Sequence, residues 1–290
     1  METIHTVEWM KQVARDALRQ ERILGLVPTM GALHEGHLSL IREAKKNCSP
    51  LVVSIFVNPK QFGPSEDFQK YPRRIEHDRA LLEGLGVDYL FAPAAEEIYP
   101  HGFRTAVLVE GFGELLEGRS RPGHFRGVAT VVLKLFEIVQ PRSAYFGRKD
   151  AQQVRIIQQM TSDLDLDTQI VVCPIVREPD GLALSSRNAY LNSDDRRSAT
   201  VLYRGLDEIR REIGAGQRVA VHLITALRRV IETETRVVLD YAEIVDAETL
   251  EPVVSLRRTC LVLLAAFVGG VRLIDNALVE QAGDFFKVTL

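Results

Sequence analysis

Cysteine is scarce in this chain of 290 residues. Cys48, Cys173 and Cys260 are far apart and odd in number, and no CxxC pair occurs. That spacing excludes a readable disulfide framework and a structural zinc site, and reduced thiols of a cytosolic enzyme are expected. An excess of charge is also missing: with 26% charged residues the formal net charge is -3. Such a balance gives no electrostatic reason for a nucleic acid or an anionic membrane as partner, and a local basic patch would serve small anions. Long apolar runs are absent too. The most hydrophobic stretch, CLVLLAAFVGGVRLI, is interrupted by Gly269, Gly270 and Arg272. It is too short to span a bilayer and reads as two buried strands joined at a Gly-Gly turn. The opening METIHTVEWMKQVARDAL carries charges throughout and lacks the apolar centre of a signal peptide. The common phosphate-loop and nucleophile fingerprints, GxxxxGK[ST], GxGxxG and GxSxG, do not occur, and GFGELLEG has the wrong glycine spacing.

What is present is an alternation of two periodicities. Residues 7–19 read as a helix, RILGLVP as a strand and HEGHLSLIREAKKN as a helix. PLVVSIFVN is a continuous apolar run of the kind a strand buried on both faces requires. Helical RRIEHDRALLEGLG, strands VDYLFAP and TAVLVEG, helix VATVVLKLFEIVQ, strand SAYFG, helix DAQQVRIIQQMTSDL and strand TQIVVCP follow. The alternation argues for βαβ units in a mostly parallel, Rossmann-like sheet with helices on both faces. Functional groups are then expected in loops beyond the carboxyl ends of the strands. After residue 175 the pattern changes. A capped helix from NSDDRRSATVLYRGLDEIRREIGAG and a second over 217–235 precede VVLDYAEIV, CLVLLAAFV and VRLIDNALV. Two helices followed by strands predict a smaller α+β domain with an antiparallel sheet, so the expected division is 1–175 and 176–290.

Five segments carry chemistry-bearing side chains. In LVPTMGALHEGHLSLI a strand turns into a helix near His34, placing helix-end N–H groups beside His34 and His37. Histidines at i and i+3 share a helix face, so both can address one anion at the positive helix end. Gly36 lets a ligand approach the main chain. HEGH is one residue short of the zinc-protease spacing HExxH. Two structural histidines at an ordinary strand-to-helix turn remain the alternative. In SIFVNPKQFGPSEDFQKYPR, Asn58 and Gln61 offer neutral amides that suit orientation of a hydroxyl or carboxylate, with an ordinary loop rich in turn formers the alternative. RSRPGHFRGVATVV crowds Arg119, Arg121, His124 and Arg126 before a helix, an anion-binding lid or a solvated basic loop. In SAYFGRKDAQQV, Lys149 offers a point charge for a phosphate, while Asp150 can cap the helix or bind a ribose hydroxyl. VREPDGLALSSRNAYL sets Ser185, Ser186 and Arg187 side by side, groups suited to phosphate oxygens.

Taken in order, PTMGALHEGH, VNPKQF, YPR, RPGHFRGVATVV, FGRKDAQQ and GLALSSRN closely resemble the motifs of the pantoate–β-alanine ligase family, within the HxGH nucleotidylyltransferase-like superfamily. The resemblance runs nearly end to end and includes LDYAEIVDAETLEPV in the second domain. It implies an ATP-dependent, AMP-forming condensation of pantoate with β-alanine through pantoyl adenylate. It further implies an ATP site of Met30, Gly31, Ala32, Leu33, His34, Glu35, Gly36 and His37, with Gly147, Arg148, Lys149, Asp150, Val176, Leu184, Ser185, Ser186 and Arg187. His34, His37, Lys149 and Arg187 would be the catalytic groups, with His37 the family's proton donor, and the C-terminal domain would cover the active site. Gln61 and Gln153 would hold pantoate, Gln61 would also approach β-alanine, and Asn58 and Tyr71 would support them. Arg148 stands where many members carry an acidic residue. Mg²⁺ is expected to accompany ATP on phosphate oxygens, since no carboxylate cluster with ligand spacing is visible. A cytoplasmic homodimer is implied as well. Two other readings stay open at this stage: a nucleotidylyltransferase that stops after nucleotide transfer, and a nucleotide-sensing module without catalysis.

Overall fold

A computed structural model of the chain describes residues 1–64, 66–283 and 285–290. It divides into two compact units, Met1–Arg148 with Gln152–Pro174, and Lys149–Ala151 with Ile175–Leu290.

The first unit alternates strand and helix. Its elements are β1 (Glu2–Ile4), α1 (Val7–Arg19), β2 (Gly25–Thr29), α2 (Glu35–Asn47), β3 (Leu51–Ile55), α3 (Ile75–Gly84), β4 (Tyr89–Phe91), α4 (Ala95–Ile98), α5 (Glu117–Ser120), α6 (His124–Val139), β5 (Ser143–Gly147), α7 (Ala151–Asp163) and β6 (Gln169–Cys173). The six strands are parallel, in the order β1-β4-β3-β2-β5-β6. Successive strand residues point to opposite faces. Leu26 and Val52 therefore enter one core with Met10, Val132 and Ile157 of α1, α6 and α7. Val27, Leu51 and Val53 enter the other, with Leu40 and Ile41 of α2 and Leu82 of α3. Burial on both faces is why these strands read as unbroken apolar runs. The chain leaves β2 toward β3 and β4 on one side and resumes at β5 on the other. That reversal places a topological switch point between β2 and β5.

One expected strand, TAVLVEG at residues 105–111, is not a strand. Its half-buried Val107 and Val109 pack on the first core, as their alternation suggests. The Val107 N–H, however, bonds to Thr130 Oγ1 of α6 at 2.9 Å, a side-chain partner where a sheet would supply a carbonyl. The short β1, pairing in parallel with β4, was not expected from the sequence.

The second unit contains α8 (Ser193–Ser198), α9 (Val201–Gly214), α10 (Ala220–Ile231), β7 (Val237–Asp246), β8 (Cys260–Val268), β9 (Val271–Ala282) and β10 (Phe285–Thr289). The strands form an antiparallel sheet in the order β10-β9-β8-β7. Leu206 and Ile209 of α9 and Leu223 and Leu227 of α10 pack with Val262, Leu264 and Ala266 of β8. Asn192 caps α8 by accepting from the N–H groups of Asp194 and Asp195. Gly269 and Gly270, with φ of 56° and 84°, join β8 to β9. The expected fold class is observed: a parallel sheet between helical layers, followed by a C-terminal antiparallel sheet with its own helices. The single long helix expected from residue 193 is instead α8 and α9, separated at Ala199 and Thr200. No helix among the described residues is long and apolar enough to cross a membrane.

Candidate active site

The turn from β2 into α2 is built around two left-handed residues, Gly31 (φ 82°) and Ala32 (φ 51°). At Gly31 a Cβ would lie 3.0 Å from Ile55 and 3.1 Å from Asp78 Oδ2, so glycine serves both the conformation and the space. Asp78 of α3 is fully buried, and its carboxylate accepts from the N–H of Ala32 at 2.8 Å and of Leu33 at 2.9 Å. The turn is thereby fixed by a side chain far away in sequence.

His34 then caps α2. Its Nδ1 accepts from the Gly36 N–H at 3.2 Å, while His37 Nδ1 accepts from the His34 N–H at 3.4 Å. The ring centroids are 4.1 Å apart. A main-chain donor at each Nδ1 assigns the proton of each neutral ring to Nε2. Two Nε2–H donors thus stand at a helix N-terminus, where the dipole also favours an anion. Glu35 pairs with Arg42 of its own helix through a 3.1 Å contact, and that hydrogen bond holds its carboxyl below the usual range.

Beyond β3, Asn58 is buried with every hydrogen-bonding site in use. Its Nδ2 donates to Gln61 Oε1 at 2.9 Å and to the Gly127 carbonyl at 3.1 Å. Its Oδ1 accepts from the Lys60 N–H at 3.2 Å and from Tyr99 Oη at 2.8 Å. The Gln61 Nε2 rests on Met30 Sδ at 3.2 Å. A Cβ on Gly127 would lie 2.2 Å from the Lys60 carbonyl, so only glycine lets α6 pass this loop. Tyr71 is buried, with its ring against Phe62 at 5.8 Å.

The segment read as an anion-binding lid or a solvated basic loop has two of its basic side chains committed. Arg121 forms a bidentate pair with Glu66 at 3.0 and 2.6 Å. His124 is buried, with Nδ1 2.8 Å from the Gln61 carbonyl and Nε2 3.0 Å from Arg121 Nη1. Guanidinium can only donate, so Nε2 accepts and Nδ1–H donates. Burial, followed by the neighbouring Arg121 charge, lowers the His124 pKa to about 4. His124 is therefore neutral scaffolding behind Gln61.

Gly147 ends β5 on the far side of the switch point, and Arg148 follows it. Gln153 lies half-buried in the first turn of α7. Its neighbour Gln152 is buried, donating to the carbonyls of Phe112 and Leu115 at 2.9 Å and accepting from the Glu117 N–H at 3.1 Å. In the second unit, Lys149 Nζ is 3.7 Å from Asp150 Oδ1. The Lys149 carbonyl accepts from Nδ2 of Asn276, a buried residue of β9, at 2.8 Å. Asp275, beside it, holds Arg177 at 2.7 and 2.9 Å. The Leu184 N–H bonds to the Val176 carbonyl at 3.0 Å, drawing those two residues together. Ser185 Oγ accepts from the Arg187 N–H at 3.3 Å and caps the short 3₁₀ turn Ser186–Tyr190.

Hydrogen bonds thus join Met30, Asn58 and Gln61; the two histidines share one turn; and Lys149 and Asp150 share another. Sequence reasoning did not single out Asp78, Tyr99 or Asn276, and it read His124 as part of an anion-binding lid or a solvated basic loop.

A parallel α/β sheet whose switch-point strand enters a His-x-Gly-His helix start is the architecture of Rossmann-like nucleotide-binding enzymes. The chain belongs to the pantoate–β-alanine ligase family, whose model matches residues 2–278. It is 51% identical to the pantothenate synthetase of Acetivibrio thermocellus, over 97% of this chain and 100% of that one. A second relative, from Koribacter versatilis, is 51% identical over 98% of both chains. The crystal structure of pantothenate synthetase from Thermus thermophilus superposes with a TM-score of 0.90 at 47% identity, covering 95% of this chain and 98% of that one. A pantoate–β-alanine ligase from Francisella tularensis, solved in complex with β-γ ATP and β-alanine, gives a TM-score of 0.79 at 38% identity, covering 95% and 97%.

Proposed function

We propose that this family's reaction, the ATP-dependent condensation of (R)-pantoate with β-alanine, is carried out here by the groups described above. The observation that carries the assignment is the paired use of both histidine Nδ1 atoms by main-chain N–H groups at the start of α2. With both Nδ1 atoms accepting, each neutral ring can donate only through Nε2, a polarity that suits anionic oxygen.

In the first half-reaction a pantoate carboxylate oxygen bonds to the α-phosphorus of ATP, and the bond from that phosphorus to the bridging oxygen breaks. Pantoyl adenylate and pyrophosphate result. An ionised carboxylate needs no base to attack, so catalysis consists of positioning and of stabilising charge on the departing pyrophosphate. His34 and His37, with the α2 N-terminus, supply donors; Lys149 and Arg187 supply full positive charge. His37 acts here as a fixed hydrogen-bond donor rather than as a proton shuttle. Met30 to His37, Gly147 to Asp150, Val176 and Leu184 to Arg187 form the nucleotide contacts. Gln61 and Gln153 hold pantoate. In the second half-reaction the β-alanine nitrogen attacks the acyl carbon, the bond to the AMP oxygen breaks, and the amine sheds its proton as the amide forms.

No group of three or more His, Cys, Asp or Glu side chains able to hold a metal occurs among the described residues. An Mg²⁺ carried on the phosphates of ATP could use Asp150, the carboxylate beside Lys149, and would there shield phosphate charge. A cytoplasmic homodimer is part of the same proposal, on the strength of the family resemblance.

The test is pantoate-dependent exchange of labelled pyrophosphate into ATP, together with AMP release that requires β-alanine. His37→Ala and Lys149→Ala are each expected to lower exchange by about a hundredfold, the usual cost of removing one transition-state donor. Near-normal exchange in both refutes the phosphate roles.

A further inference from the structure

Gln61 is a carboxamide, and a carboxamide can face a ligand with either of two opposite polarities. Its NH₂ donates to a carboxylate or hydroxyl oxygen, whereas its carbonyl would repel a carboxylate and could only accept from a hydroxyl. In this fold the choice is made by groups whose own polarity cannot change. The Gly127 main-chain carbonyl can only accept, and the Lys60 main-chain N–H can only donate. Between them they fix Asn58 with Nδ2 toward Gly127 and Oδ1 toward Lys60. The second proton of Nδ2 then meets Gln61 at 2.9 Å, which requires the Gln61 carbonyl oxygen there. Tyr99 Oη, at 2.8 Å, donates into the last lone pair of Asn58 Oδ1. Burial holds the Tyr99 phenol above its ordinary pKa, in the protonated form that can donate. The Gln61 main chain is pinned separately, its carbonyl accepting from His124 Nδ1 at 2.8 Å. What remains is the Gln61 NH₂, 3.2 Å from a thioether, the weakest acceptor a protein offers.

We infer that Asn58 and Tyr99 are positioning residues that lock the Gln61 carboxamide with its NH₂ presented to the organic-acid substrate. Met30 Sδ is then a resting partner that an oxygen of that acid displaces. Asn58 has no hydrogen-bonding capacity left for a ligand and works through Gln61. The inference rests on the assignment of Gln61 to pantoate and deepens it, because it makes Gln61 selective for acceptor oxygen.

A double-mutant cycle tests this with steady-state kinetics on the full chain. Asn58→Asp keeps the shape but replaces the inward donor by an acceptor, so the Gln61 amide must turn over. The pantoate KM should rise about tenfold or more, the cost of an unmade or opposed hydrogen bond, while the KM for ATP stays within about twofold. In a Gln61→Ala background the same substitution should change the pantoate KM by less than about twofold, because its only route of action is gone. An equal rise in both backgrounds, or none in either, overturns the inference. Tyr99→Phe removes one oxygen without changing volume and runs the same cycle, with an expected rise of about threefold. It decides the matter if Asn58→Asp fails to fold. Gln61→Ala alone separates the two levels: an unchanged pantoate KM there overturns the substrate assignment itself. A raised one, with no effect of Asn58→Asp in the otherwise unaltered chain, overturns only the relay.

Discussion

His124 shows at the scale of one residue how the fold changes what a side chain is for. In sequence it sits among arginines and reads as part of a cationic loop. In the structure it is buried and neutral, donating to the carbonyl of Gln61 and accepting from Arg121. Its pKa falls to about 4 from an ordinary 6.5, chiefly through burial. A lowered folded-state pKa means that the unfolded chain binds the proton more readily between those two values. Its contribution is therefore complete above about pH 6.5 and is lost as pH falls toward 4. The shift corresponds to about 3 kcal/mol in total. His124→Asn keeps a donor for the carbonyl without the titration. Urea unfolding from pH 7 to 4.5 should show the unaltered protein losing about 2 kcal/mol more than this variant, and parallel pH profiles would contradict the assignment. Nothing local in PGHFRG marks the histidine as buried, because its partners are Glu66-bound Arg121 and a main-chain carbonyl 63 residues away in sequence.

Elements legible in the sequence were those whose apolar pattern answers to one layer. The runs LVVSI and SAYFG mark central strands, and the capped start of α2 follows from the strand-to-helix change at His34. Residues 105–111 alternate like a strand and bury the expected side chains, but their main chain meets Thr130 rather than a neighbouring strand. Periodicity reports which side chains are buried and says nothing of where the N–H groups go. Asp78 is the converse case, a lone acidic residue on α3 that holds the left-handed turn before His34 through two main-chain N–H groups. Asp78→Ala would leave both donors unsatisfied and should cost about 2–4 kcal/mol of stability. The same substitution should weaken ATP more than pantoate in steady-state KM, because the turn it releases carries His34 and His37. A stable variant with an unaltered KM for ATP would show that the turn holds itself.

At the scale of the whole molecule, two hydrophobic cores flank the parallel sheet and a third holds the antiparallel sheet with its helices. Both fold classes follow from the order of elements. The candidate residues were legible by type, since HEGH, Asn58, Gln61, Lys149 and the Ser185–Arg187 turn all stand out by chemistry. What the sequence hid is the set of buried groups that fix the main chain or side chains around those residues: Asp78, Tyr99, His124 and Asn276. Each acts over a long sequence separation, and each is a common residue type in an unremarkable local context. On the proposed function, catalysis is charge stabilisation by fixed donors on the departing pyrophosphate. The decisive assay is exchange of labelled pyrophosphate into ATP, measured with pantoate present and β-alanine absent. Rapid exchange is expected that falls by about a hundredfold in His37→Ala with the fold intact, and to a similar degree at every pH from about 6 to 9, since no proton is moved. Unimpaired exchange in that variant, or a defect that disappears as the pH changes across this range, would contradict it.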